Sequence, residues 1–229
     1  MEESEAMLPG VFKRFLDDWT VYVIDRPLDV PEGTSNADLA EAYYKEMVGL
    51  GIGPADIIGT SQGGMIAQHL AVSHPQAVHA LVLCATLGPM NSTAEATIGG
   101  WIDFAVKGEW DSLCRDMFSK LYTDSYLERY KEALDYMAGH MAPDDPVRFI
   151  RLAKACLSGG PAGRLDRITC PTLVAGGEND PVVSGEASKV LAREIGCELH
   201  IFEGVRHSFY DETRDFYDLT YGFLSGLYN

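Results

Sequence analysis

Short apolar runs that alternate with helix-patterned segments constrain the fold of this chain most strongly. The runs are WTVYVID (19–25), ADIIGT (55–60), HALVLCAT (79–86), PTLVAGGEND (171–180) and CELHIFEG (197–204). Helical spacing of apolar residues occupies 35–52, 62–75, 184–196 and 211–227, and residues 9–18 indicate a further helix. Strands that are apolar on both sides belong in a parallel sheet covered on both faces. The sequence therefore predicts an α/β fold with a mostly parallel sheet and helices on both faces.

The alternation stops in the middle of the chain. Residues 88–160 show helical character and many large aromatic and methionine side chains. We expect an all-helical cap insertion over 88–160, inserted into a core formed by 1–87 and 161–229. Most of its aromatic side chains are expected to fill the interior of the insertion itself.

The net charge and the cysteine pattern limit which partners and which cellular compartment can be expected for this chain. The formal net charge is −16, so a phosphate backbone or an anionic membrane surface would repel the chain, and neither nucleic acid nor membrane is expected as a partner. The five cysteines are widely spaced and include no CxxC pair, which favours reduced thiols and a cytoplasmic location. There is no apolar run of transmembrane length and no signal-peptide pattern at the N-terminus. The sequence leaves the oligomeric state open.

The stretch GTSQG (59–63) places a serine between two glycines, after a predicted strand and before a predicted helix. This is the G-x-S-x-G pattern in the context that a nucleophile elbow requires. The turn is expected to be so tight that a Cβ at Gly59 or Gly63 would clash. Ser61 would then have a strained backbone at a helix N-terminus, where the N–H of Gln62 stabilises an oxyanion. The alternative is a serine that only caps the helix.

A serine nucleophile needs a base and an acid. His207 lies in a loop just after the last predicted strand, and Asp180 follows the strand before it. Parallel strands end at one edge of the sheet, so both residues should share that edge with Ser61. The chain order Ser61, Asp180, His207 is that of serine hydrolases built on a parallel sheet. A turn-forming Asp180 and a surface His207 are the alternatives.

With these three motifs the chain resembles the α/β-hydrolase family from about residue 9 to the end. The resemblance rests on GTSQGGMIAQHLAVSHPQAVHALVLCAT, RITCPTLVAGGENDPVV and FEGVRHSFYDE. It implies a cofactor-free, metal-free hydrolase in which the cap, here about 88–160, lies between the sixth and seventh strands and shapes the substrate pocket.

The chain departs from that family pattern near its N-terminus. Family members carry three strands before the one that matches VYVID, and the third is followed by a loop that supplies a second oxyanion donor. Residues 1–8 correspond at most to the end of that loop. Either the VYVID strand closes up against ADIIGT in a sheet of about five strands, or residues upstream of Met1 supply the missing strands; we favour the second outcome.

The predicted function is a serine hydrolase that cleaves a carboxylic ester or related small acyl substrate through a Ser61–His207–Asp180 triad and an acyl-enzyme. Thioesters, lactones, amides and carbon–carbon bonds of diketones use the same machinery and stay open. A ligand-binding or inactive protein on the same fold, and an acyltransferase, are the alternatives. The residues expected to line an apolar pocket beside Ser61 come from the insertion's aromatic set: Trp101, Phe104, Trp110, Phe118 and Tyr122.

Overall fold

The structure is a computed structural model that describes residues 12–228. Within that part of the chain four strands form one parallel sheet, in the order β1-β2-β3-β4. They are β1 (Ala55–Thr60), β2 (Val78–Cys84), β3 (Thr172–Gly177) and β4 (Glu198–Phe202). Three lie inside one of the apolar runs and β2 begins one residue before its run, at Val78, so four of the five predicted strands are confirmed.

Ten α helices are present in residues 12–228. They are α1 (Asn36–Gly49), α2 (Gln62–Ser73), α3 (Ser92–Lys107), α4 (Trp110–Leu121), α5 (Asp124–Arg129), α6 (Lys131–Ala138), α7 (Pro146–Cys156), α8 (Gly185–Ile195), α9 (Phe209–Glu212) and α10 (Asp215–Gly226). None of them is both long and apolar enough to cross a membrane. Helix α1 begins where its sequence indicates, because Ser35 and Asp38 form a reciprocal capping box.

Helices cover both faces of the sheet, as predicted. On one face α1, α2 and α8 bury Leu39, Ile66 and Leu191 against strand residues such as Leu83 and Val174. On the other face α10 and a single 3₁₀ turn (Lys13–Phe15) bury Phe216, Leu224 and Phe15 against Val82 and Leu173. Continuous apolar character along β2 follows directly from this two-sided burial.

Five helices, α3 to α7, and no strand lie between β2 and β3. Two apolar clusters hold them. One packs Ile98 and Ile102 of α3 against Met65 and Val183 of the core. The other is internal to the five helices and is centred on Ala105, Leu113, Cys114 and Ala138.

The predicted strand over 19–25 is wrong. Residues 20–27 have no regular secondary structure, and Tyr22 and Val23 are 55 % and 56 % exposed. The segment lies across a wide cavity from β1, and both line that cavity along their length. Because a strand requires a neighbour at about 4.8 Å, the gap prevents pairing between them. Trp19 bridges the gap at one end by donating its indole N–H to Asp56 at 3.0 Å.

The alternative in which VYVID closes up against ADIIGT in a sheet of about five strands is therefore wrong for residues 12–228, where β1 is an edge strand. The helix expected over 9–18 is also wrong where it can be compared, since residues 13–15 form only one 3₁₀ turn. Residues 1–8, assigned above to an oxyanion loop, lie outside the described residues.

Candidate active site

Ser61 occupies a strained turn between β1 and α2. Its backbone has φ 52° and ψ −118°, in a region that residues with a Cβ rarely adopt. Hydrogen bonds from both directions hold it there: its N–H donates to the Cys84 carbonyl at 2.9 Å, and its carbonyl accepts from the Thr86 hydroxyl at 2.7 Å. Ser61 makes no side-chain capping bond to the helix, so its hydroxyl is available for other contacts.

The glycines around the turn differ from the prediction in one respect. A Cβ on Gly59 would lie 2.7 Å from the Gly63 carbonyl oxygen and 2.8 Å from the Gly64 Cα, so glycine is required there. A Cβ on Gly63 would meet nothing within 4 Å, and the predicted clash at Gly63 is wrong. Gly63 faces the cavity, whereas a Cβ on Gly64 would lie 2.6 Å from Thr86 Cγ2, so glycine is required at position 64. The close helix-to-strand contact therefore falls one residue later than the motif suggests.

The structure brings Ser61, His207 and Asp180 together. His207 Nε2 lies 3.1 Å from Ser61 Oγ, and His207 Nδ1 lies 2.7 Å from Asp180 Oδ2. The second oxygen of Asp180 accepts from the backbone N–H groups of Val182 and Val183 at 2.7 and 3.0 Å. The side chains of His207 and Asp180 are only 3 % and 2 % exposed. The proton of the histidine is therefore directed to Nδ1, which leaves Nε2 free to accept the serine proton.

A buried amide network supports the residue after the serine. Gln62 is the first residue of α2, so its backbone N–H has no carbonyl partner within the helix. Its side-chain amide donates to Asn36 Oδ1 at 3.2 Å and to the Leu152 carbonyl at 3.0 Å. Asn36, with no exposed surface, donates in turn to the Gly159 carbonyl at 3.0 Å. Sequence reasoning missed Asn36, because nothing in the local pattern distinguishes it from an ordinary residue at the start of a helix.

Ser61 is among the residues that line a cavity of about 1510 Å³, which also includes the wide space between β1 and residues 20–26. Of the five aromatic residues predicted to line a pocket, Trp101 does so, and its indole N–H is held by Asp116 at 2.8 Å. Apolar side chains that sequence reasoning did not select share this wall. They are Met65, Ile98, Met117, Phe149, Leu152, Val182 and Val183.

The other four aromatic residues do not line the cavity. Phe104, Trp110 and Phe118 pack in the internal cluster of the five helices, because their faces of α3 and α4 turn towards α6 and α7. Tyr122 stacks on Tyr126, with ring centroids 4.4 Å apart, and donates its hydroxyl to Asp211.

Cys156 is a second potential nucleophile on the cavity wall. Burial raises the pKa of the Cys156 thiol to about 12. The thiol is therefore protonated at neutral pH and is a poor nucleophile compared with a base-assisted serine.

A parallel sheet with a serine on a strained strand-to-helix turn, in contact with a buried histidine–aspartate pair, defines a hydrolase of the α/β type. Comparison with known proteins agrees. The family model described as the alpha/beta hydrolase family matches residues 6–219. The chain belongs to the alpha/beta hydrolase family.

One curated relative is a pimeloyl-acyl-carrier-protein methyl ester esterase of Neisseria meningitidis serogroup C, 24 % identical over 98 % of this chain and 90 % of the relative. Among solved structures, the enzyme MGS-M2 from a Medee basin deep-sea metagenome library is similar with a TM-score of 0.81, at 21 % identity over 94 % of this chain and 84 % of that one. The enol-lactonase of Burkholderia xenovorans LB400 is similar with a TM-score of 0.77, at 20 % identity over 87 % and 77 %. At these identities the two structures support the fold.

Proposed function

We propose that the protein is a serine hydrolase that cleaves the acyl–oxygen bond of a carboxylic ester, with Ser61, His207 and Asp180 as its catalytic triad. The observation that carries the proposal is the continuous chain of contacts from Ser61 Oγ to His207 Nε2 at 3.1 Å and from His207 Nδ1 to Asp180 at 2.7 Å. A serine that served only as a helix cap would not need a buried, carboxylate-bound histidine beside its hydroxyl.

The proposed reaction has two halves. Ser61 Oγ attacks the carbonyl carbon while its proton passes to His207 Nε2, and the negative charge of Asp180 stabilises the imidazolium that forms. The carbonyl oxygen becomes an oxyanion that accepts from the Gln62 N–H. Collapse of this intermediate releases the alcohol, which takes the proton from Nε2. Water, deprotonated by His207, then attacks the acyl-enzyme and releases the acid.

The substrate is proposed to be a small ester with an apolar acyl group. The wall of the cavity that Ser61 lines includes large apolar side chains, among them Trp101, Met117 and Phe149. Binding such a group removes apolar surface from water, at roughly 25 cal/mol per Å². The relative named as a methyl ester esterase and the structural neighbour named as an enol-lactonase both carry names of ester-bond chemistry, which supports esters and lactones.

Residues 88–160 are proposed to act as the cap of this site, because α3, α4 and α7 contribute its apolar wall. A cytoplasmic location is proposed on the cysteines. All five are free thiols, which suits a reducing compartment. The proposal requires no metal or organic cofactor.

A fluorophosphonate probe tests the proposal, because it modifies serines that a base activates. We expect labelling of the wild-type chain at Ser61, found by peptide mass spectrometry, and no labelling of Ser61→Ala. Turnover of p-nitrophenyl esters should fall by roughly 10⁴-fold or more in Ser61→Ala. Ser73→Ala, at an exposed position at the other end of α2, is the matched control and should retain full activity.

A wild-type chain that is folded but neither labels nor turns over p-nitrophenyl esters, thioesters or lactones would overturn the proposal and favour a binding protein. Ester products formed in the presence of added alcohols, in place of the free acid, would instead identify an acyltransferase.

A further inference from the structure

The residue before His207 ties the histidine loop to the insertion. Arg206 Nη1 donates to the backbone carbonyls of Ser119 and Tyr122, at 2.9 and 2.7 Å. Its Nη2 forms an ion pair with Asp124 at 2.9 Å. The carbonyl of Ser119 belongs to the last turn of α4 and that of Tyr122 to its C-terminal cap, where carbonyls have no partner within the helix and where a cation is favourable. Arg206 therefore caps α4 from the loop that carries His207.

The residues after His207 contact the same short stretch. The Ser208 N–H donates to the Leu121 carbonyl at 2.9 Å. The carboxylate of Glu212 accepts from the backbone N–H and the hydroxyl of Thr123. Residues 119–123, called here the clamp segment, are thus hydrogen-bonded to Arg206 before the histidine and to Ser208 and Glu212 after it.

The core holds the loop from the opposite direction. The Asn179 N–H donates to the Val205 carbonyl at 3.0 Å. A Cβ on Gly177 would lie 2.2 Å from the Arg206 carbonyl oxygen, so the loop backbone rests directly on the end of β3. These contacts hold the loop from the side of the sheet only. The clamp segment, which belongs to the insertion, holds it from the opposite side.

We propose that Arg206 is a positioning residue, which acts through the clamp segment to hold His207 Nε2 against Ser61 Oγ. The inference rests on the proposed function. It makes the insertion part of the machinery that orients the base, in addition to being a wall of the cavity. The two carbonyl bonds carry the effect, because Asp124 is 88 % exposed and an exposed ion pair contributes little.

The physical expectation follows from the geometry required for proton transfer. A displacement of a catalytic group by about 1 Å can cost about 10²-fold in rate. Loss of Arg206 leaves the Ser208–Leu121 bond in place, so a partial displacement is expected. We expect Arg206→Met to lower kcat by about 10- to 100-fold with KM changed less than about threefold. Arg206→Lys, which keeps a donor and the charge but not the two-carbonyl reach, should lie between Met and wild type.

The experiment compares Arg206→Met, Arg206→Lys and the control Asp124→Asn for kcat, KM and the rate constant of fluorophosphonate labelling at Ser61. A mispositioned histidine lowers the rate constant while labelling still goes to completion. A purely structural defect lowers the final labelled fraction and leaves the rate constant of the folded molecules unchanged. Asp124→Asn should stay within about twofold of wild type, because it removes only the exposed ion pair.

Slow but complete labelling of Arg206→Met, with kcat reduced in parallel, supports the proposal. A labelling rate constant and kcat equal to those of Asp124→Asn would overturn it. If Arg206→Met does not fold, Arg206→Lys decides by the same criterion, with kcat at least about threefold below wild type expected. Failure of the proposed function itself is distinguishable, because then the wild-type chain would not label at Ser61.

Discussion

Replacement of Asp180 by asparagine tests the proposed triad most directly, because the two carboxylate oxygens of Asp180 accept hydrogen bonds from different partners. Oδ1 accepts two backbone N–H groups, from Val182 and Val183, and Oδ2 accepts from His207 Nδ1. An asparagine has one oxygen and one NH₂ group. The single oxygen can accept either from the two N–H groups or from the Nδ1–H of His207, but not from both.

The magnitude follows from the two orientations of that amide. If the oxygen faces His207, the NH₂ group opposes two N–H donors, and two buried hydrogen bonds are lost at about 1–3 kcal/mol each. The productive orientation is therefore populated at roughly 1 in 30 to 1 in 2 × 10⁴. In the favoured orientation the NH₂ group donates to Nδ1, the histidine proton moves to Nε2, and Ser61 has no base. Because the charge that stabilises the imidazolium is also lost, we expect kcat/KM to fall by about 10⁴-fold.

The assay is p-nitrophenyl ester hydrolysis at neutral pH, with circular dichroism melting as the check on folding. The favoured orientation keeps both backbone bonds, so the unfolding midpoint should shift by no more than about 4 °C. Glu178→Gln makes the same isosteric change two residues earlier, at an exposed carboxylate that accepts from Gly204 N–H, and should leave activity unchanged. An Asp180→Asn protein within tenfold of wild type would refute the triad assignment.

Three further outcomes are expected. Asn36→Leu should lower the free energy of unfolding by about 2–4 kcal/mol in urea titrations, because it leaves two buried amide contacts unmade, one of them to Gln62; a loss under about 1 kcal/mol would contradict a supporting role for the network. Burial lowers the pKa of His69 below its ordinary 6.5. As the pH drops through 6.5, His69 therefore becomes protonated in the unfolded chain before it does in the folded chain, and the free energy of unfolding falls. His69→Leu should reduce the dependence of the free energy of unfolding on pH between about pH 7 and pH 5. An unchanged dependence would show that other groups cause it. Trp101→Ala should raise KM for p-nitrophenyl esters with an apolar acyl group by about tenfold or more through lost apolar contact, whereas Phe104→Ala should lower the melting temperature and leave KM within about twofold. A KM of Trp101→Ala within about twofold of wild type would place Trp101 outside the substrate path.

Local patterns in the sequence were sufficient to predict the sheet core and the site edge. The runs of β2 and β3 are apolar on both sides because helices cover both faces, and that property is visible in a few consecutive residues. The nucleophile turn is equally local, since Gly59 and the strained Ser61 both belong to one five-residue stretch. Asp180 and His207 could be placed near Ser61 because parallel strands end at a common edge, so chain order and strand ends already imply proximity.

Features that depend on a distant neighbour could not be predicted in the same way. The stretch at 19–25 has the composition of a strand, yet it is unpaired because a strand exists only where another backbone lies alongside it. Which aromatic side chains reach the cavity depends on how α3 and α4 are rotated about their axes, and packing against α6 and α7 turns Phe104 and Phe118 inward.

The remaining contacts join residues far apart in the chain. Asn36 meets Gln62 across 26 positions, and Arg206 meets the clamp segment across more than 80. A hydrogen bond between two such residues leaves no periodic signal in the sequence, since each is individually an ordinary cap or surface residue. The sequence by itself thus determined the strand pattern and the three proposed catalytic residues. Tertiary packing decided which residues support and surround those three, because the supporting residues lie on elements that only folding brings together.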